Sequence, residues 1–451
     1  MMELDIWLED QLVARSRERD RGRKLTIVYD ESVVAAVGDE VPLLSCSLPT
    51  PGPSTPSHAR SFLEGLLPEG RALETMAANM RNVRLQEGAP ATPADAVSLL
   101  AQYGRECAGA VVIVPSGTEY QPRQGDYRPL DQEDLSEILR DLPEHPLGAN
   151  LDRGIRMSLA GAQPKFLLAR FDNKWFEPLG GAASTHILKP TTRWPYSAEN
   201  EALVMHFARA AGLTAWSTWV ERIDGTSVLA VERYDRRVEG ERVVRTHQED
   251  LCQALGIRPL NKYQIGRPST LMARLLRRFA EVPAEAVTKL FGQVAFRTVV
   301  GDEDGHGKNY SLLLNNGKVE FAPLYDSICT LAYPELSGRM AAPIGNQSSL
   351  AKVDRTALIE EAVAMGILKS EANSILEKLA ADIRASISSL DASFASGWPS
   401  ESVTDIITSR LDRLESGEPM NGSVKGSPTS RPGRATDMTT QTANPEGQTA
   451  L

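Results

Sequence analysis

The feature that most constrains the fold is a change of element type near residue 246. Between 165 and 234, five segments have strand character: "KFLLARF" (165–171), "KWFEPL" (174–179), "THILKP" (185–190), "TWVERI" (218–223) and "SVLAVERY" (227–234). One helix interrupts them, "SAENEALVMHFARAAGL" (197–213). Ser197 is placed to cap it, and Ala202, Met205, Ala208 and Ala211 form a stripe. From about 246 the pattern is mostly helical: "QEDLCQALG" (248–256), "STLMARLLRRFAEV" (269–282), "AEAVTKLFGQVAFRTVV" (284–300), then segments near 355–366, 370–393 and 401–415. The exception is a strand pair around 310–321 that flanks the turn "NNGK". Strands, one helix, more strands and then helices is the element order of a kinase-like small lobe followed by a helical lobe.

Upstream, 3–8 and 25–29 read as strands, 61–80 as a helix interrupted near Pro68, 95–104 as a helix ending at Gly104, and 108–115 as a strand stopped by Pro115. A further helix is expected over 130–142. The expected organisation is an N-terminal α/β subdomain (1–120), a small lobe (121–238), a helical catalytic lobe (239–415) and a tail (416–451). The tail is rich in Ser, Thr, Gly and Pro and nearly free of large apolar residues, so disorder is expected there. The fold class is therefore α+β.

The net charge of −10 argues against broad, non-specific nucleic-acid binding by this chain itself. The N-terminus has no apolar core flanked by small residues, and no apolar stretch approaches the roughly 20 residues of a membrane span. A cytoplasmic protein without membrane contact is expected. Cys46, Cys107, Cys252 and Cys329 make no CxxC pair and are expected as buried free thiols.

The densest polar stretch is "GDEDGHGKNYSLLL" (301–314). Asp304 and Asn309 stand at the Asp-to-Asn offset of a kinase catalytic loop, where the Asp takes or positions the substrate hydroxyl proton and the Asn oxygen binds magnesium. Asp326, after the hairpin, is placed as the second metal ligand; one carboxylate and one amide suit a hard cation that keeps several waters. His306 and Lys308 are expected to bring positive charge beside a phosphoryl group. Upstream, "SLAGAQPK" (158–165) is a small-residue loop able to approach phosphates. Lys189 ends a strand where a phosphate-binding lysine sits, with Glu199 or Glu201 as its partner. "LAVERYD" reads as the crossing between lobes. Taken singly, each motif also fits a plain turn, a solvated lysine or a strand edge. A metal-hydrolase site at Asp302, Asp304 and His306 is weakened because no HxH or HExxH pattern occurs. The order of the motifs, over about 170 residues, favours the kinase.

The chain also resembles the HipA toxins, serine/threonine kinases of bacterial type II toxin–antitoxin modules. The resemblance is carried by "LSCSLPT" (44–50), "FLEGLLPEG" (62–70), "GRECAGAVVIVP" (104–115), "SLAGAQPK", "THILKP", "AVERYDR" (230–236), "QEDLCQALG", "GDEDGHGKNYSLL" and "APLYD" (322–326). It implies a two-lobed kinase-like fold using ATP and Mg²⁺. Asp304 would be the base, and Asn309 and Asp326 the metal ligands. Ala160, Gly161, Ala162, Gln163, Lys165, Lys189, His306 and Lys308 would lie along the nucleotide. Glu232 and Tyr234 would hold adenine through backbone atoms. Ser158 would be an autophosphorylation site whose modification ejects the phosphate loop. The implied partners are a helix-turn-helix antitoxin of HipB type, operator DNA through that antitoxin, and a substrate of the translation machinery, such as glutamyl-tRNA synthetase among the aminoacyl-tRNA synthetases. A small-molecule kinase and a non-catalytic nucleotide-binding co-repressor are the alternatives. Pro164 stands where the family usually has an acidic residue, Thr246–His247 where it often has Leu–Pro, and "YQIGRPS" (263–269) is less glycine-rich than the corresponding segment.

Overall fold

A computed structural model of the chain describes residues 2–19, 24–86, 95–120, 125–151, 153–240, 242–315, 317–391, 394 and 397–421. Leu4 and Ile6 alternate into an apolar interior from the strand Glu3–Leu8. That strand lies between Gln11–Arg19 and Val111–Pro115, with Lys24–Tyr29 outermost, in an antiparallel four-stranded sheet. Helices Pro56–Gly65 and Ala96–Tyr103 close its core through Phe62, Leu63, Leu99 and Leu100. The interruption expected near Pro68 separates two helices, Pro56–Gly65 and Gly70–Gln86. Gln11–Arg19 was not expected as a strand. Its charged residues hide the alternation, yet Val13, Ala14 and Ser16 are buried.

The small lobe is an antiparallel six-stranded sheet in the order Asp126–Pro129, Lys174–Leu179, Phe166–Phe171, His186–Pro190, Thr226–Glu232, Thr218–Ile223. Helix Ser197–Ala210 sets Ala198 and Ala202 against Leu229 of the sheet and Leu203, Val204 and Phe207 into the helical lobe. Its cap differs from expectation. Tyr196, in the left-handed region at φ 58°, precedes the helix without a side-chain cap, and the Ser197 hydroxyl instead accepts the Thr192 N–H at 3.1 Å.

The helical lobe packs Pro268–Phe279, Pro283–Val300, Arg355–Ala364, Lys369–Ser388 and Ser400–Ser416 around one core. Its short sheet pairs Ser311–Asn315 with Lys318–Phe321 and with His247–Asp250. The last strand corrects the helix expected over 248–256: only Leu251–Ala254 is helical, and Asp250 caps it by accepting the Gln253 N–H at 3.0 Å. A hairpin of Arg339–Ile344 and Gln347–Ser349 is an addition to the expected elements.

The N-terminal subdomain docks into this lobe through "LSCSLPT". Cys46 joins the helical core, the Cys46 N–H donates to Glu249 Oε1 at 2.8 Å, and His247 Nε2 meets the Leu44 carbonyl at 2.8 Å. All four cysteines are buried free thiols. The expected disorder does not begin at 416. Residues 417–421 are placed, and Met420 is fully buried, its N–H donating to the Val353 carbonyl at 2.7 Å. The rest of the expected tail, 422–451, lies outside the described residues. Among the described residues, no helix is long and apolar enough to cross a membrane.

Candidate active site

Helix Pro283–Val300 delivers the polar loop. Gly301, at φ 78°, closes the helix by donating its N–H to the Arg297 and Thr298 carbonyls, and the chain then turns into residues 302–310. The buried Arg297 holds this loop to the one after the hairpin. Its guanidinium pairs with the Asp302 carboxylate and donates to the Tyr325 and Asp326 carbonyls at 2.6 and 2.9 Å. Asp302 also accepts from Ser327 Oγ at 2.9 Å and from the Asp304 N–H at 3.0 Å, so its oxygens are engaged within the scaffold. Asp304 faces the cleft, where Tyr263 Oη donates to Asp304 Oδ1 at 3.0 Å. Burial above all, and then the charge of Asp302, pushes the Asp304 carboxyl up to about 7; the Tyr263 hydrogen bond pulls it back.

Three chain segments meet at Lys189. Its ammonium lies 2.7 Å from Glu201 Oε1 and 2.5 Å from Asp326 Oδ1. The choice between the two helix glutamates thus falls on Glu201; Glu199 instead accepts from Ser227 Oγ at 2.5 Å. Burial works against both charges, but Lys189 holds Asp326 well below the usual carboxylate range, and Asp326 and Glu201 hold Lys189 above the usual amine range. Asp326 sits at φ 54°, a conformation costly for a non-glycine residue and one that clusters at functional sites. Its side chain is 49% exposed, open to the cleft. Asn309 Nδ2 reaches Asp326 Oδ2 at 3.4 Å, and Asn309 Oδ1 is buried with no hydrogen-bond partner among the described residues. An orphaned amide oxygen beside a carboxylate is a donor set that fits a magnesium ion. No group of three His, Cys, Asp or Glu side chains among the described residues is placed to hold a metal, so further ligands would be waters or phosphate oxygens.

The 158–165 loop is held from inside. Lys165 Nζ donates to the Ala160 carbonyl at 2.9 Å and crosses over Gly161, where φ is 110° and a Cβ would run into that ammonium. Burial and the neighbouring Lys189 lower Lys165 to about 8. Ser158 lies beneath the loop, fully buried, its hydroxyl donating to the Leu66 carbonyl at 2.7 Å. Nearby, Arg153 pairs with Glu177, and Arg156 donates to Gln102. At the lobe crossing, Glu232 is turned away, its carboxylate accepting the Ser217 N–H at 3.1 Å, while the Tyr234 ring lies 5.5 Å from that of Tyr325.

One cleft gathers the sequence-derived residues. Ala160, Gly161, Ala162, Gln163, Lys165, Lys189, Glu232, Tyr234, Asp304, His306, Lys308 and Asp326 all line it; Asn309 touches Asp326, and Ser158 is buried under the loop. The two residues expected to bring positive charge, His306 and Lys308, differ in their surroundings. Burial and the adjacent Lys262 hold the His306 ring far below its ordinary range. The Lys308 ammonium is buried and paired with Asp250 Oδ2 at 2.5 Å. Arg297, Tyr263, Lys262 and Glu69 bear on the site without having been singled out. For Tyr263, Lys262 and Glu69 the signal is spatial, because their contacts with the polar loop and with each other are not local in sequence; Arg297 lies only five positions before Asp302, and its burial is what the sequence does not show.

Two lobes, a buried lysine between two carboxylates at their junction, and an Asp–Asn–Asp set below it define a protein of the kinase-like class. Residues 4–114 match the family model for the HipA N-terminal domain, and residues 157–387 match the HipA-like C-terminal domain. The chain belongs to the HipA family. It is 38% identical over 366 residues to Y4mE of Sinorhizobium fredii, a protein whose name places it provisionally among kinases, covering 78% of this chain and 83% of that one. It is 28% identical over 318 residues to the serine/threonine-protein kinase toxin HipA of Shewanella oneidensis, covering 67% and 70%. In fold it is similar to a chain of the solved Shewanella oneidensis MR-1 complex of HipA, HipB and operator DNA, with a TM-score of 0.73, 24% identity, and 92% and 97% of the two chains covered.

Proposed function

We propose that this chain is an ATP- and Mg²⁺-dependent serine/threonine protein kinase, acting in the cytoplasm as the toxin of a HipA-type toxin–antitoxin pair. The observation that carries this reading is Lys189 held between Glu201 and Asp326. A strand lysine paired with a helix glutamate, beside the metal-binding aspartate, is the assembly that kinases need before they transfer phosphate. Adenine would lie between Ile187, Val231 and Tyr325, with the 232–234 backbone along its edge. Lys189 and the 160–163 loop would face the phosphates. Asn309 Oδ1 and Asp326 would hold Mg²⁺, which offsets phosphate charge when bound. The acceptor hydroxyl oxygen bonds to the γ-phosphorus, ADP leaves, and the hydroxyl proton passes to Asp304. A carboxylate whose pKa is near 7 suits that task at neutral pH.

The wider reading draws on the family. A relative's structure holds HipA with HipB and operator DNA, which supports an antitoxin of HipB type as partner here and contact with DNA through it. The substrate would be a protein of translation, an aminoacyl-tRNA synthetase such as glutamyl-tRNA synthetase. Ser158 would be self-phosphorylated. Its hydroxyl faces the Leu66 carbonyl in a closed site, so a dianionic phosphate there would force the loop out. The test is Asp304→Asn: transfer of radiolabelled phosphate should be lost while calorimetric binding of ATP–Mg²⁺ stays near wild type. Retained transfer would remove Asp304 from the role of base, and absence of ATP binding by the wild type would remove the kinase reading itself.

A further inference from the structure

The N-terminal subdomain does more than lie beside the kinase lobes. One turn of it, residues 66–70, meets the phosphate loop through the main chain. The Glu69 N–H donates to the Gly161 carbonyl at 3.1 Å, Pro68 forms a parallel bridge with Gly161, and the Leu66 carbonyl takes the Ser158 hydroxyl. The Glu69 side chain reaches the other side of the cleft. Its Oε2 accepts from Lys262 Nζ at 2.8 Å, and Lys262 adjoins Tyr263, the residue bonded to Asp304. The Lys262 carbonyl also accepts the Gly307 N–H from the catalytic loop at 3.4 Å. One glutamate therefore touches the loop placed over the phosphates and the segment beside the base.

We propose that Glu69 is a positioning residue of the kinase site, a clasp that closes the phosphate loop and couples it to the 262–263 segment. This rests on the nucleotide reading given above. The arrangement is poorly suited to stability alone. The pair is largely buried, and Glu69 Oε1 has no partner among the described residues, so removing these charges from water is only partly compensated. What the pair does provide is geometry. With Lys262 bonded to the catalytic loop through its carbonyl and Glu69 bonded to Gly161 through its N–H, the loop lifts only by breaking its main-chain bond to Glu69 or by carrying residues 66–70 away from Lys262 and breaking the ion pair. A nucleotide that needs the loop closed then binds more tightly when the pair is intact.

The test uses the full chain with Glu69→Gln, Lys262→Gln and the double variant. ATP–Mg²⁺ binding is read by calorimetry, and amide hydrogen exchange over 158–165 by mass spectrometry. Each single variant should weaken ATP binding about tenfold and speed exchange in that loop, and the double should be no worse than either single. A thermal melt on each protein confirms folding, and Lys262→Gln carries the test if Glu69→Gln fails to fold. Unchanged affinity with unchanged loop exchange, or effects of the two singles that simply add, would overturn the clasp. If the wild type binds no ATP, the nucleotide reading fails, and the exchange comparison still decides whether Glu69 and Lys262 hold the loop.

Discussion

In the proposed reaction, the hydrogen bond from Tyr263 to Asp304 would tune the pH at which the base works. Burial and Asp302 raise the Asp304 carboxyl to about 7, while the Tyr263 hydroxyl, donating to the ionised form, restrains the rise. Tyr263→Phe keeps a ring against His306, 5.1 Å away, but removes the donor. The proposed base must be ionised to work, so the acid limb of the kcat/KM profile should move to higher pH, by about half to one unit, with the plateau above it little changed. An unmoved limb would mean that the phenol does not act on the base. At the metal pair, Asn309→Ala should reduce the Mg²⁺-dependent part of ATP affinity about tenfold, because it deletes the unpaired oxygen. Asp326→Ala should do the same and also leave Lys189 with Glu201 alone. Titration of ATP affinity against Mg²⁺ concentration checks both, and an Asn309→Ala curve that overlays the wild type would reject the metal assignment.

At the scale of elements, what was legible depended on whether the stabilising contact is local. The helix Pro283–Val300, its stop at Gly301 and the strand pair after Tyr310 follow from apolar runs and turn residues within a few positions. "QEDL" was misread because its polar residues suit a helix start, and part of it is one. What makes His247–Asp250 a strand is a partner more than 60 positions away, Ser311–Leu314. A still longer separation hid the burial of Glu249, which is 1% exposed and accepts from Ser45 and Cys46 of the N-terminal subdomain. Likewise, the motifs named residues that line one cleft, but the depressed range of His306 and the Lys308–Asp250 pair follow only from three-dimensional burial. Glu249 carries a prediction. Burial raises it from 4.5 to about 7, against the pull of Ser45 and Cys46. A raised carboxyl binds its proton more tightly folded than unfolded, so its contribution is fully present below about pH 4.5 and is lost as pH rises through about 7. Between those limits it should lower stability by up to about 1.4 kcal/mol per pH unit. Chemical denaturation at pH 5.5 and pH 8 should show the decline, and Glu249→Gln should flatten it; an equal slope in the variant would place the titration elsewhere.

Over the whole molecule, the chain's far end bears on the site by way of one arginine. Arg410 is wholly buried on helix Ser400–Ser416. It donates to the Thr298 and Val299 carbonyls at 2.7 and 3.1 Å, the last turn of the helix that ends in the catalytic loop. A cation there complements the carbonyl end of the helix. Arg410 also donates to the Met420 carbonyl, and Met420 in turn packs into the helical core and bonds to Val353. The composition of 416–451 suggested a removable tail, because Met420 is an isolated large apolar residue among small polar ones. Position decides instead, since the residue fits a hole in the core. Ending the chain after Gly417 should therefore cost about 2–5 kcal/mol: the Met420 side chain leaves a cavity, and a buried guanidinium loses one acceptor. Ending it after Asn421 keeps every one of these contacts. Thermal melts of the two truncations should differ by a few degrees, the shorter chain melting lower, and its phosphoryl-transfer rate should fall as the end of Pro283–Val300 loosens. Equal melting temperatures would show that Met420 and its bond to Arg410 do not hold the helix Pro283–Val300 in place.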